Sequence, residues 1–315
     1  MNAEFLINVE NGPLVEMANR IPPDGVMREE TFALRDLLGL YGQDLVFSAD
    51  GTPSHVRSVI KDVLLLALDF EGEICSPAAP LGFRLGISVL DTRRLKDLAE
   101  SQFRDGGADI QDAIRTCSFC TGPSMDCLKE RRKEIFGNAR EMKIEEMRTT
   151  IQALISGRHV VLVVHGGEND LRFLERLQIP IQPLYIIDTQ KAAQNPLGLT
   201  ARPSLETLLT ILEIPHVPSI LHVAGNDATY TLRSLLMIAV KDAEMAHGLD
   251  DKQQALVVIL CKLAGSPLPE SVKKQYANRG NGGEGQKRRR EEKKAAKKLI
   301  REQLAEIQAV EASKY

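Results

Sequence analysis

The sequence predicts an α/β protein in which a sheet is flanked by helices. Two short apolar runs, VLLLAL at residues 63–68 and HVVLVV at residues 159–164, have the length and composition of strands buried on both faces. Segments with helical spacing lie between and after these runs, and strands interleaved with helices are typical of a sheet with helices on its faces. Sites in such sheets lie outside the strand ends, where acidic residues occur in this chain.

Each further element is indicated by its apolar spacing and by the residues at its ends. Alternation at 84–91 predicts a strand that forms a hairpin with the first one. At 143–156 the apolar residues recur at helical spacing, and Gly157 supplies a helix end. Ser204 is a favoured N-cap. The remaining predictions are helices at 29–41, 168–177, 204–212, 226–246 and 252–263, and a short strand at 185–187 that ends at Asp188.

The composition divides the chain into three parts. Residues 1–58 are mixed and are expected to be a partly ordered N-terminal extension, whereas residues 59–268 carry the predicted sheet and most helices. Within this domain, residues 100–135 are polar and contain Gly and Cys, and we interpret them as an insertion. Residues 269–315 are expected to form a linker, with a flexible Gly-rich break at 280–285, and a basic helical tail.

The overall composition is that of a globular protein. With 43% hydrophobic and 26% charged residues, the chain is too apolar for a disordered protein and too charged for a membrane protein. No apolar run approaches the roughly 18 residues of a spanning helix, and the start MNAEFLINVENG lacks the features of a signal peptide. We therefore expect an intracellular protein with no membrane partner, in the cytoplasm and/or, because of the basic tail at 287–301, in the nucleus.

Charge is distributed unevenly. Residues 287–301 hold nine basic and two acidic residues, whereas the other 300 residues carry 31 basic against 41 acidic residues, a net charge of −10. An acidic body is unusual for a nucleic-acid-binding protein, so a polyanion would have to bind locally, through the tail or through bound cations. The tail has three interpretations: a solvated helix, a nuclear address or a phosphate-binding arm.

Acidic residues follow apolar elements at three separated places. Asp69 and Glu71 occur in LALDFEGE, Asp170 in VVHGGENDLRFL, and Asp227 in LHVAGNDATYTL, where His222 precedes it by five residues. Asp69 and Glu71 are two apart and project from the same face of a strand. Converging carboxylates repel one another unless cations compensate, and Mg²⁺ suits such oxygen ligands. Each acid alone is more often a solvated or helix-start residue, but their ordered combination indicates a metal site.

This order of motifs resembles the DEDDh exonucleases, a superfamily with a ribonuclease-H-like fold that includes ribonuclease T and polymerase proofreading subunits. The resemblance depends on D-x-E, on the acid in H-x-x-x-N-D-L-x-F-L and on H-x-x-x-x-D at a late helix. The stretches LHVAGNDATYTLRSLLMIAV, YIIDTQ and SLETLLTILEIP are similar to the fungal Gfd-type branch, which includes exonucleases that work with Argonaute. The resemblance covers about residues 62–245 and implies a mixed sheet flanked by helices.

The resemblance also implies roles for the five residues. Asp69 would bridge two ions, Mg²⁺ or Mn²⁺, while Glu71 and Asp227 would hold the ion on the nucleophile side. Asp170 would support the other ion through water, and His222 would be the general base. The chemistry fits these roles, because two ions can activate water and stabilise the leaving oxygen, and histidine accepts protons near neutral pH.

The expected function is therefore a metal-dependent 3′-to-5′ exonuclease that acts on RNA or single-stranded DNA. An RNA-processing or silencing protein is a candidate partner. Two alternatives stay open: a catalytically silent nucleic-acid-binding or adaptor protein with the same fold, and a ribonuclease-H-like endonuclease. The intact set of acids argues against the first, and the spacing of His222 and Asp227 favours an exonuclease over the second.

Three further residues lie next to these motifs or at the end of a predicted strand. Gly72 stands where many family members have Thr, so a hydroxyl that would help to seat the terminal nucleotide is missing. Asp188 is expected to be a structural turn or cap, and His165 a structural histidine. 

A cysteine cluster suggests zinc. Cys117 and Cys120 form a C-x-x-C pair and Cys127 follows, but three local ligands are too few for a closed structural site. Reduced thiols without a ligand are the other interpretation.

Overall fold

The computed structural model of the chain describes residues 26–40, 60–72, 82–121, 133–246 and 248–269. Within these ranges the strands are β1 (Leu64–Gly72), β2 (Phe83–Asp91), β3 (Ile114–Cys120), β4 (Ala139–Glu141), β5 (Val160–Val164) and β6 (Tyr185–Asp188). The helices are α1 (Glu29–Leu38), α2 (Thr92–Asp105), α3 (Ile144–Ile155), α4 (Glu168–Arg176), α5 (Thr189–Ala192), α6 (Leu205–Ile211), α7 (Ala224–Met245) and α8 (Asp251–Ala264).

The strands form one mixed sheet in the order β4-β3-β2-β1-β5-β6. β2 is antiparallel to both β1 and β3, whereas β5 is parallel to β1 and β6, and β4 is parallel to β3. The carboxyl ends of β1 and β5 therefore meet at one end of the sheet, beside the first residues of β2. The predicted α/β class, a mixed sheet flanked by helices, is confirmed, and the arrangement is consistent with a ribonuclease-H-like fold.

Different helices cover the two faces of the sheet. On one face, alternate residues of β1 such as Leu66 pack with Met147 and Ile151 of α3 and with Leu174 of α4 in a single hydrophobic cluster. The other face is covered by α7, in which 19 of 22 residues are buried. A helix that is buried on nearly all sides belongs to the centre of a core, and α5, α6 and α8 pack against α7.

The start of α7 lies directly against β2 because Gly86 has no side chain. A Cβ atom at Gly86 would overlap the carbonyl oxygen of Ala224 and the amide nitrogen of Gly225. A Cβ atom at Gly225 would in turn overlap Ser118 Oγ of β3. These two glycines let backbone approach backbone, and the contact determines where the first turn of α7 lies over the sheet.

Helix α1 packs onto this core although it belongs to the predicted N-terminal extension, residues 1–58. Leu34 and Leu37 are buried, and Arg35 donates two hydrogen bonds of 2.6 Å to the carboxylate of Asp242 on α7. Both members of this ion pair are largely shielded from water, so removal of one would leave an uncompensated buried charge. Residues 1–25 and 41–58 lie outside the described residues.

The interpretation of residues 100–135 as an insertion is wrong for much of that stretch. Residues 114–120 form β3, which pairs with β2 along seven residues, and residues 100–105 complete α2. The sequence pattern failed here because β3 is polar on the face that meets α7. There Thr116 shares hydrogen bonds with Ser88 (3.1 Å) and Thr229 (2.7 Å), so its hydroxyl is satisfied inside the core.

The other predicted elements are confirmed, with ends shifted by a few residues. The pattern missed α2, which is strongly polar and buries only a narrow stripe that includes Leu95 and Leu98, as well as the short elements β4 and α5. Most of the predicted linker and tail, residues 269–315, lies outside the described residues. None of the described helices is both long and apolar enough to cross a lipid bilayer.

The glycine contact predicts a large effect of Gly86→Ala. The added methyl group overlaps backbone atoms that cannot move aside, so we expect the free energy of unfolding to fall by about 1 to 3 kcal/mol. Denaturant unfolding would measure this change. Gly107→Ala is the matched control, because Gly107 has no atom within 4 Å of an added Cβ and should tolerate alanine. Equal stabilities of the two variants would contradict the proposed role of Gly86.

Candidate metal and catalytic site

The first two predicted acids lie at the carboxyl end of β1. Strand alternation places Asp69 and Glu71 on the same face, which is the face covered by α7. Asp69 stands opposite Gly86 in the β1/β2 pair, and Glu71 stands opposite Arg84. The close approach of α7 at Gly86 therefore brings the first turn of that helix next to Asp69 and Glu71.

Asp170 reaches the same end of β1 from the first turn of α4. Its Oδ1 accepts a hydrogen bond of 3.0 Å from the backbone N–H of Phe70, the residue between Asp69 and Glu71. The Phe70 ring stacks on Phe173 of α4 with centroids 4.8 Å apart, which holds α4 against β1. The chain therefore surrounds one strand end with three carboxylates.

The environment of Asp170 disfavours its ionised form. Burial raises the pKa of Asp170 to about 6, and the negative charge of Glu71 acts in the same direction. The hydrogen bond from Phe70 opposes these effects and lowers the pKa, but does not cancel them. Without a cation nearby, Asp170 is therefore partly protonated close to neutral pH.

Asp227 and His222 are linked through the backbone at the start of α7. The N–H of His222 donates to Asp227 Oδ2 at 2.8 Å, and Asp227 is buried in the first turn, where the helix dipole favours a negative charge. His222 has a φ of 62°, a left-handed conformation that is uncommon for a residue other than glycine. Its side chain is 90% exposed, so the imidazole points away from the core and faces solvent.

Asn226 clamps this segment. Its Nδ2 donates to the carbonyl oxygens of Ile220 (2.9 Å) and Lys133 (3.1 Å), and its Oδ1 accepts from the N–H of Ile135 (3.0 Å). A fully buried side-chain amide that bonds three backbone groups holds the turn before α7 in one conformation. This clamp supports the left-handed conformation at His222.

Three of the predicted residues form a compact cluster. Glu71, His222 and Asp227 each offer a ligand atom within 4.8 Å of the others, and His222 Nδ1 lies 3.7 Å from Glu71 Oε1. Asp69 and Asp170 do not belong to this tight group. Both lie beside it. Asp69 is two residues before Glu71 on the same face of β1, and Asp170 accepts a hydrogen bond from the N–H of Phe70.

The donor set fits divalent cations. Carboxylate oxygens are the ligands that Mg²⁺ and Mn²⁺ prefer, and an imidazole nitrogen is accessible at the rim. The raised pKa of Asp170 is a second sign, because a bound cation would offset the burial of this carboxylate and its repulsion by Glu71.

The zinc suggestion for the cysteines does not fit the structure. Cys117 and Cys120 are three apart on β3 and therefore point to opposite faces of the sheet, so they do not bind one ion together. Burial raises the pKa of Cys117 to about 11, with a further contribution from Glu134, which favours the neutral thiol. Cys127 lies outside the described residues.

Asp188 and His165 have structural roles, as predicted. Asp188 Oδ1 accepts hydrogen bonds from the N–H groups of Gly166 (3.0 Å) and Gln190 (2.9 Å) and caps α5. Burial lowers the pKa of His165 to about 4, and its Nδ1 shares a hydrogen bond with Thr189 Oγ1 at 2.9 Å. A histidine that stays neutral across physiological pH is a poor candidate for the proton acceptor.

The backbone explains the departure at Gly72. Its φ is 125°, a conformation that only glycine adopts readily, and an added Cβ would lie 3.0 Å from the carbonyl oxygen of Gly82. A threonine at this position would be strained in this backbone conformation.

Sequence reasoning missed three residues that shape the site: Gly86, Asn226 and Arg84. The dipeptide Gly225-Asn226 before Asp227 was a local signal for a close approach and a cap. Arg84 gave no such signal, because its position opposite Glu71 depends on the β1/β2 register.

Comparison with known proteins supports one family. A family described as "DNA polymerase III subunit epsilon-like, C-terminal domain", of the DEDDh type, matches residues 83–238, or 156 of the 315 residues. The match includes Asp170, His222 and Asp227 and begins after Asp69 and Glu71. The match supports the DEDDh exonuclease family, whose members typically use divalent metals. It therefore also supports a nuclease-like function and the binding of nucleic acid. No curated protein matches the chain.

The position of Asp170 predicts a pH-dependent gain in stability for Asp170→Asn. A raised pKa means that the protonated carboxyl stabilises the metal-free fold below about pH 4, and that this contribution is lost as the pH rises through about 6. Asparagine imitates the protonated form at every pH. In EDTA the variant should therefore match wild type at pH 4 and exceed it at pH 7.5 by roughly 1 to 3 kcal/mol.

Thermal or denaturant unfolding across pH 4 to 8 would measure this difference. Asp97→Asn, a change at an exposed position of α2, is the control and should show no such trend. If Asp170→Asn is less stable than wild type at pH 7.5, the ionised carboxylate of Asp170 does not destabilise the metal-free fold, and the prediction is wrong.

The cluster also predicts the effect of Glu71→Gln on metal binding. Loss of one anionic ligand should weaken Mn²⁺ binding by about tenfold or more, measured by calorimetry on the folded protein. Glu175→Gln removes the same charge from an exposed position of α4 and should bind Mn²⁺ as wild type does. Equal affinities of the two variants would show that Glu71 is not a ligand.

Proposed function

We propose that this protein is a metal-dependent 3′-to-5′ exonuclease that hydrolyses phosphodiester bonds of RNA or single-stranded DNA. The observation that carries the proposal is the convergence of Glu71, His222 and Asp227 within 4.8 Å beside Asp69 and Asp170. The family match covers residues 83–238, which include Asp170, His222 and Asp227, and it adds support that does not use the acids of β1.

Four carboxylates would hold two divalent ions, Mg²⁺ or Mn²⁺. Asp69, Glu71 and Asp227 would be the direct ligands, and Asp170 would support the site from the far side of β1. When bound, the ions would stabilise negative charge on the phosphodiester oxygens and help to activate a water molecule. The chain's own contribution is rigidity, because backbone hydrogen bonds fix the carboxylates of Asp170 and Asp227.

His222 is the proposed general base. Its exposed imidazole can accept a proton from an attacking water molecule, and Glu71 at 3.7 Å stabilises the positive charge that the ring then carries. The N–H of His222 simultaneously holds Asp227, so one residue connects the proton acceptor to a metal ligand. His222 combines these two roles in a left-handed backbone conformation that is uncommon for a residue other than glycine.

The remaining parts of the proposal concern partners. The basic run at 287–301 would supply a phosphate-binding arm to an otherwise acidic protein. The similarity to the fungal Gfd-type branch motivates a protein partner in RNA processing or silencing, and a location in the nucleus or cytoplasm.

A gel assay tests the function. Single-stranded RNA and DNA labelled at the 5′ end are incubated with Mg²⁺, Mn²⁺ or EDTA, and with wild type, Asp69→Asn or the control Asp97→Asn. We expect a metal-dependent ladder that shortens from the 3′ end. Asp69→Asn should slow it by roughly a hundredfold or more, because a metal ligand stabilises charge in the transition state.

Other outcomes distinguish the alternatives. Cleavage of a circular strand would identify an endonuclease, since an exonuclease needs a free end. Nucleic-acid binding without turnover in any metal, unchanged by Asp69→Asn, would identify a silent binding or adaptor protein and overturn the proposal.

A further inference from the structure

A cationic side chain lies directly across from a proposed metal ligand. In the antiparallel β1/β2 pair, Arg84 is the partner of Glu71, so the two side chains leave the sheet on the same face. Opposite residues in such a pair have Cβ atoms about 5 Å apart. Arg84 is thus fixed beside the candidate site by the same register that places Gly86 opposite Asp69.

Arg84 lies near the open end of the β1/β2 pair, and its side chain is partly exposed, although its Nε is enclosed by protein atoms. It is the second residue of β2 and is only partly buried, and Gly72, which follows Glu71 at the end of β1, is exposed. The residue therefore stands at the end of the sheet where the carboxylates converge.

Charge balance gives Arg84 a chemical role. Four ionised carboxylates would be balanced by two divalent ions, which leaves the site near neutrality before a substrate arrives. Each phosphate of a nucleic acid adds a negative charge, in a protein whose body is already acidic. An arginine offers a planar set of donors that matches phosphate oxygens, and it stays charged at any physiological pH.

We infer that Arg84 is a substrate-binding residue that contacts a backbone phosphate of the strand at the site. The inference depends on the proposed function for its substrate class, and it adds a residue that no motif indicated. The competing explanation is that Arg84 serves only as a counter-ion to Glu71. That role would affect the stability and metal affinity of the protein, whereas a phosphate contact affects the binding of nucleic acid and its salt dependence.

The first measurement is the binding of a nucleic acid by a protein variant that does not cleave it. A 5′-fluorescein-labelled single-stranded oligonucleotide is titrated with Asp69→Asn protein in Mn²⁺ at several salt concentrations, with fluorescence anisotropy as the readout. Adding Arg84→Gln should weaken binding roughly tenfold and should reduce the slope of log affinity against log salt by about 0.7, the value for one lost phosphate contact on a single strand.

Two matched variants sharpen the result. Arg84→Lys keeps the charge but loses the planar donor set, so it should preserve the salt slope and recover only part of the affinity. Arg115→Gln removes the same charge from an exposed position of β3 opposite Val89, away from the carboxylates, and should change neither quantity. In the active enzyme, Arg84→Gln should raise KM with kcat within about twofold of wild type, since uniform binding is lost.

The outcomes separate this inference from the proposed function. Unchanged affinity and salt slope in Arg84→Gln, together with a lower melting temperature or altered Mn²⁺ affinity, would show that Arg84 is only a counter-ion and would overturn the inference. If wild type binds nucleic acid without degrading it, the exonuclease proposal fails, while the salt slopes still decide the role of Arg84. The melting curve of Arg84→Lys identifies any effect that comes from misfolding alone.

Discussion

The close contact between Gly86 and the first turn of α7 is the constraint on which the candidate site depends. Asp227 and His222 belong to a helix, whereas Asp69 and Glu71 belong to a strand, and a side chain at Gly86 would push the two apart. Because β2 lacks that side chain, the helix start lies over the sheet within ligand distance of Glu71. Gly225 and Asn226 complete the contact, one by being small and the other by binding three backbone groups.

The same contact brings several carboxylates close together, and backbone N–H groups hold two of them in place. Asp170 is held by the N–H of Phe70, and Asp227 is held by the N–H of His222 and by the dipole of α7. The hydrogen bond from Phe70 orients the Asp170 carboxylate but does not offset the effect of its burial, as the raised pKa of Asp170 shows. Cations that bind this arrangement of carboxylates would stabilise the folded protein, because they bind the folded and not the unfolded chain.

Periodicity was sufficient to predict most elements, because β1, β5, α3 and α7 bury continuous or regularly spaced apolar residues. It failed at β3, where hydroxyl groups such as those of Thr116 and Ser118 are satisfied by partners distant in the chain. Of the two interpretations of the C-x-x-C motif, the structure favours reduced thiols. Two cysteines can bind one ion only if the backbone brings both side chains to the same side. Cys117 and Cys120 are three apart on an extended strand, so their side chains lie on opposite faces of the sheet.

The sequence by itself determined the α/β class and the identity of the five candidate residues, because strand and helix patterns and the order of the acids are local properties. Tertiary structure alone decided which of them meet: Glu71, His222 and Asp227 form the tight group, with Asp69 and Asp170 beside it. It also decided that Arg84 stands opposite Glu71 and that Gly86 carries the helix contact. Strand register and backbone packing set these relations, and both arise from pairing between segments that the linear order does not specify.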